Sequence, residues 1–91
     1  MSEKPYLEEQ ISDNVKIRKF SKELTDDELV WHRDYRKRKV EVLEGRGWEF
    51  QLDNFLPFRV KPGDHFFIEA FVFHRLLVGT TDLKIRITEI I

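Results

Sequence analysis

Along most of this 91-residue chain, large apolar and charged residues alternate one by one in short runs. Val40 and Val42 share a parity, as do Trp48, Phe50 and Leu52, and again Leu83, Ile85 and Ile87, while Glu49, Gln51, Lys84 and Arg86 take the other. A period of two marks a half-buried β-strand, because successive side chains point to opposite faces. The pattern predicts strands over residues 15–20, 29–34, 37–44, 48–53, 55–61, 66–70, 73–78 and 83–90. Between them stand Gly45-Arg46-Gly47, Asp53-Asn54, Lys61-Pro62-Gly63-Asp64 and Gly79-Thr80-Thr81-Asp82. These residue types supply the positive or preset φ that tight connections need. Short strands separated by such turns predict an all-β fold, a small antiparallel β-barrel or jelly roll.

Two regions depart from the alternation. Residues 1–14 are polar and charged, with Tyr6, Leu7 and Ile11 as the large apolar side chains after the initiator. They are expected to form a frayed or docking segment ahead of a single domain over residues 15–91. In the stretch 66–73, Phe-Phe-Ile-Glu-Ala-Phe-Val-Phe, apolar residues occupy both faces. A barrel interior takes one face, so the surplus predicts burial against a second subunit, a homodimer.

Composition narrows the class. A chain this short cannot support two cores, and 41% hydrophobic residues with eight Phe, two Trp and two Tyr predict one aromatic-rich core. Cysteine is absent, which excludes a disulfide framework, a thiolate metal site and a cysteine nucleophile. The opening residues MSEKPYLEEQ are charged where a signal peptide is apolar, and no apolar run approaches the roughly 18 residues of a membrane span. A soluble, cytoplasmic protein with no membrane partner is expected. Sixteen basic and seventeen acidic residues give a net charge of -1, so no nucleic-acid partner is expected either. The run Arg36-Lys37-Arg38-Lys39 does not change this, because a strand divides it between two faces and Lys37 and Lys39 share theirs with Glu41.

The candidate chemistry lies in four residues. His32 and Asp34 are one residue apart on a predicted strand and face the same side. Arg38 has the same parity, and His74 stands near the start of a later strand. Two histidines and a carboxylate are the ligand types of a non-haem iron facial triad or a carboxylate-bearing zinc site. His65, beside the Gly63-Asp64 turn, reads as an ordinary polar residue, and Tyr35 as a surface aromatic.

These residues and their spacing resemble the two motifs of the cupin superfamily. His32-x-Asp34 stands at the family's His-x-His, Arg38 follows where the family has Glu, and Gly45 closes the first motif. In the second motif Gly63 is followed by Glu69 and Phe71 at the family's Pro and Gly, then by His74 and by Val78 at its Asn. Asp26 replaces the opening Gly. The resemblance covers about two thirds of the chain, and of the four family metal positions His32 and His74 keep their type. Trp31-His32-Arg33-Asp34, Gly47-Trp48-Glu49-Phe50-Gln51, Asp53-Asn54 and His74-Arg75 also look like short cupin-like proteins of marine phages.

The resemblance implies a ligand-binding pocket in the mouth of the barrel, formed by His32, Asp34, Arg38 and His74; Trp48 is a further candidate for that pocket, although its alternation reads first as core. Arg38 is the informative departure. A fixed positive charge at roughly 5 Å from a divalent ion opposes binding by about 6 to 7 kcal/mol at an effective dielectric near 20. With Arg38 paired to Asp34, the expected site is metal-free and takes a small anionic ligand. The alternative is a metal-dependent cupin enzyme, an oxygenase or isomerase, in which Arg38 swings to the rim. His32, Asp34 and His74 would then hold iron, manganese, nickel or zinc. Whether the protein is an enzyme stays open at this point, as does the catalytic residue.

Overall fold

The computed structural model describes residues 4–91. Eight strands run β1 (Leu7–Gln10), β2 (Val15–Phe20), β3 (Arg38–Glu44), β4 (Glu49–Leu52), β5 (Phe58–Arg59), β6 (His65–Ile68), β7 (His74–Leu77) and β8 (Leu83–Glu89). They form two antiparallel sheets, one in the order β1-β2-β8-β3-β6 and the other β5-β4-β7. The architecture is a jelly roll of two facing sheets rather than a barrel closed by hydrogen bonds.

Register explains why one face of the larger sheet becomes core. Phe20 on β2 pairs with Leu83 on β8, and on β3 Val42 pairs with Ile85 and Val40 with Ile87. Five of these six side chains are 5% exposed or less, and with Trp48 and Phe50 from the smaller sheet they make the aromatic-rich core. The outward positions carry charge, so Lys39 and Arg86 both approach Glu41 on the solvent face of β3 and β8.

Three elements differ from the alternation pattern. Residues 29–34 do not form a strand. Thr25 and Glu28 hydrogen-bond across a single 3-10 turn over Asp26–Glu28, and Asp26 accepts the Val78 amide at 2.9 Å. The chain leaves that turn as an irregular segment that meets β7 through one isolated bridge, His32 to His74. β5 shrinks to Phe58–Arg59 because Pro57 offers no amide hydrogen. Residues 7–10 of the amino-terminal segment form β1, an edge strand beside β2. Residues 1–3 lie outside the described residues.

Trp48 fixes the junction of the two sheets. It is fully buried, packs against Phe20 at 6.1 Å between ring centroids, and donates its indole N–H to the Thr81 carbonyl at 2.6 Å. Gly79 lies against it so tightly that any Cβ there would collide with Trp48 and the Arg46 carbonyl. Trp48→Ala removes the largest core side chain, and a loss of about 3–5 kcal/mol is expected. Against a total stability of roughly 5–15 kcal/mol, urea titration should show a large drop in midpoint, and a loss under about 1 kcal/mol would refute this packing role.

Candidate functional site

Main-chain hydrogen bonds assemble the site. His32 N–H donates to the His74 carbonyl at 3.0 Å and His74 N–H to the His32 carbonyl at 2.9 Å, which fixes the two residues side by side. Two residues further, Phe71 N–H donates to the Asp34 carbonyl at 2.8 Å. Phe71 takes φ +66°, a left-handed conformation that is strained for a bulky residue and that turns the chain into β7.

The imidazole rings of His32 and His74 meet edge to face, with centroids 4.2 Å apart. Each ring is held by a carbonyl two residues upstream: His32 Nδ1 lies 3.2 Å from Val30 O and His74 Nδ1 2.9 Å from Val72 O. A carbonyl only accepts, so Nδ1 carries a proton in both rings and each Nε2 faces the other groups of the site. His74 is almost wholly buried and stacks on Phe50, whereas His32 sits at the exposed edge of the site. Asp34 Oδ2 lies 3.3 Å from His74 Nε2 and 3.3 Å from Arg38 Nη1. Neither contact is aligned as a good hydrogen bond, and this buried oxygen has no aligned partner. Arg38 points inward from β3, and its Nε is buried without a partner as well.

Burial would raise the Asp34 pKa, but contact with His74 and the charge of Arg38 outweigh it and hold the carboxyl below its ordinary 3.8. The His32 pKa falls below 6.5, first through burial of the ring and then through the neighbouring His74. Asp34 is therefore an anion and His32 a neutral ring near pH 7.

One donor atom from each of His32, Asp34 and His74 lies within 4.8 Å of the others. Ligand atoms around an ion with bonds of about 2.1 Å sit roughly 3.0–3.5 Å apart, so the 3.3 Å between His74 Nε2 and Asp34 Oδ2 already has that spacing. The donor types and the unpartnered Oδ2 fit a divalent cation. Arg38 beside them opposes one.

These groups open into a cavity of about 370 Å³ walled by Phe20, Leu29, Val40, Phe50, Phe66 and Ile68. Its lining includes His32, Asp34, Arg38 and His74, four of the five residues expected there. Trp48 does not line it, because its ring is spent on the core and its N–H on Thr81. Tyr6 and Arg18 are among the lining residues that were not expected. Tyr6 packs on Phe20 at 5.3 Å, and Arg18 places its guanidinium 4.1 Å over the Tyr6 ring. Val15 and Ile17 make the opposite face of β2 look like the inner one, and Phe20, on the parity of Arg18, is the signal that identifies the true inner face.

The sequence matches no protein-family model and no curated protein. Solved structures do match. A cupin 2 conserved barrel domain protein from Leptotrichia buccalis superposes with a TM-score of 0.75 at 22% identity, over 100% of this chain and 43% of that one. A cupin superfamily protein from Desulfitobacterium hafniense gives 0.66 at 24% identity, over 100% of this chain and 83% of that one. The DMSP lyase DddQ from Ruegeria pomeroyi gives 0.73 at 20% identity, over 86% of this chain. The present chain spans 39% of the length of that lyase. At these identities the likeness shows the fold. The chain is folded as a cupin jelly roll, and its His-Asp-His cluster can hold a metal.

Lowered pKa values make stability depend on pH in a set direction. At these two groups the folded protein binds fewer protons than the unfolded chain, so their contribution to stability rises with pH. His32 contributes loss as pH falls below 6.5, and Asp34 adds to it below 3.8. With chelator present, the urea midpoint should fall between about pH 7 and pH 5, and His32→Gln should flatten that slope. An equal or higher midpoint at the lower pH would contradict these electrostatics.

Proposed function

We propose that the chain binds a small anionic molecule in its cavity, against Arg38. The observation that carries this reading is the inward guanidinium. Arg38 is close to one carboxylate oxygen through Nη1 alone, while its buried Nε has no partner. A planar fork with one edge unused is suited to a carboxylate or phosphate, and apolar walls strengthen that attraction because water is excluded from them. His32, exposed at the edge of the site, and His74 border the same space.

A second reading rests on the Asp34 Oδ2 atom. His32, Asp34 and His74 would hold iron, manganese, nickel or zinc, and such an ion would supply Lewis-acid polarisation of a bound oxygen. The charge of Arg38 ceases to oppose the ion once an anion lies between them. In this form the protein is a metal-dependent oxygenase or isomerase.

Thermal unfolding with butyrate and with inorganic phosphate tests the first reading. A ligand at 100 times its Kd adds about 2.7 kcal/mol, which raises the Tm of so small a domain by roughly 10 °C or more. Arg38→Ala should abolish the shift. No shift with either probe, before and after addition of manganese or zinc, would overturn it. Elemental analysis of protein purified without chelator tests the second reading: stoichiometric metal establishes its ion site, and failure to take up metal on reconstitution ends it.

The exposed aromatics support a second copy of this chain as partner. Phe67, Phe71 and Phe73 are 49%, 59% and 40% exposed, and Lys37 and Arg33 lie over Phe67 and Phe73 as amphipathic cover. Light scattering at micromolar concentration should give twice the 11.1 kDa chain mass. A mass of one chain would remove the homodimer.

A further inference from the structure

The cavity has a second buried arginine. Arg18 on β2 is 9% exposed and lines the same space as Arg38. Its Nε donates to Glu8 at 2.7 Å, and its guanidinium lies over the Tyr6 ring. Those contacts hold the inner side chain by one edge and one face, and leave the terminal nitrogens of the fork with no hydrogen-bond acceptor among the described residues. Glu8 balances its charge, and the terminal nitrogens, which are not sealed from solvent, remain able to take an acceptor that enters the cavity.

The register sets the distance between the two cations. Arg18 and Val42 both lie opposite Ile85, and Arg38 is four residues along β3 from Val42. Two interstrand steps and four strand rises put the Cα atoms about 16 Å apart. Both side chains extend into one cavity of about 370 Å³. Both lie on the inner face of one sheet, so the two guanidinium groups stand along one wall of a space that suits a short-chain molecule.

We infer that the cavity is built for a short dianion, a dicarboxylate with one carboxylate on Arg38 and the other on Arg18. This rests on the anion-binding reading above and goes further by assigning the second anchor and the ligand class. Arg18 is the residue that separates diacids from monoacids. Tyr6 and Glu8 act as positioning residues, since they fix the face and edge of its guanidinium. Phe20 and Leu29, in the same lining, accept the methylene chain.

Isothermal titration calorimetry with succinate, glutarate and butyrate on the full chain tests the inference, since butyrate keeps the chain length of succinate and lacks the second carboxylate. Succinate or glutarate should bind at least tenfold more tightly than butyrate. Arg18→Met should bring the diacid down to the butyrate level, and Arg18→Lys, which keeps the charge, should restore part of the difference. Equal affinity for diacid and monoacid in the unaltered protein would overturn the dianion assignment while leaving an Arg38 anion site in place. Binding of none of the three would overturn both. Unfolding of the Arg18 variants would not obscure the answer, because the diacid-to-monoacid ratio of the unaltered chain decides it.

Discussion

The isolated bridge between His32 and His74 is the contact on which the site depends. Two reciprocal main-chain hydrogen bonds join an otherwise irregular segment to β7, and each contributes on the order of 1 kcal/mol. Leu29 anchors the start of residues 29–34 in the core, and these bonds fix the rest of the segment over the cavity. With them the two imidazoles stand in contact, and the Phe71-to-Asp34 bond carries the pairing on until the carboxylate reaches His74 and Arg38. The strained φ of Phe71 is the local cost of turning the chain where this alignment requires it.

Charge is balanced around that backbone frame rather than eliminated. Asp34 lies between Arg38 and His74 with an oxygen that neither satisfies in direction. Arg18 is balanced by Glu8, whose pKa burial would raise but whose contacts with Arg18, and the charge of Lys16, hold lower. Each inward arginine thus has one carboxylate and retains unused donors. The cavity is otherwise walled by apolar side chains, where unsatisfied polar groups interact strongly with whatever enters.

Much of the fold was legible in the sequence because its strands are half-buried. The alternation in 83–90 and 37–44 located β8 and β3 to within a residue or two, since each has one face in the core and one in water. Where other forces set the chain, alternation misled. The segment 29–34 has strand-like composition, but the Thr25-Glu28 turn and the Asp26-to-Val78 bond commit it before it can pair along its length. Spacing identified His32, Asp34, Arg38 and His74 correctly as neighbours. It could not identify Arg18, because a cation on a strand whose other face holds Val15 and Ile17 reads as solvent-facing. The parity of Trp48 with Phe50 and Leu52 already marks it as core, and the indole bond that wedges it between the sheets is what only tertiary structure reveals.

Both imidazoles are oriented by carbonyl groups, those of Val30 and Val72, instead of by side chains. A main-chain carbonyl survives every substitution at its own position, so the aim of the two rings is insulated from changes in the residues that support them. Substitution at Asp34 and Arg38 can then change the charge of the site while the histidine pair stays in place. The scaffold separates the geometry of recognition from its sign.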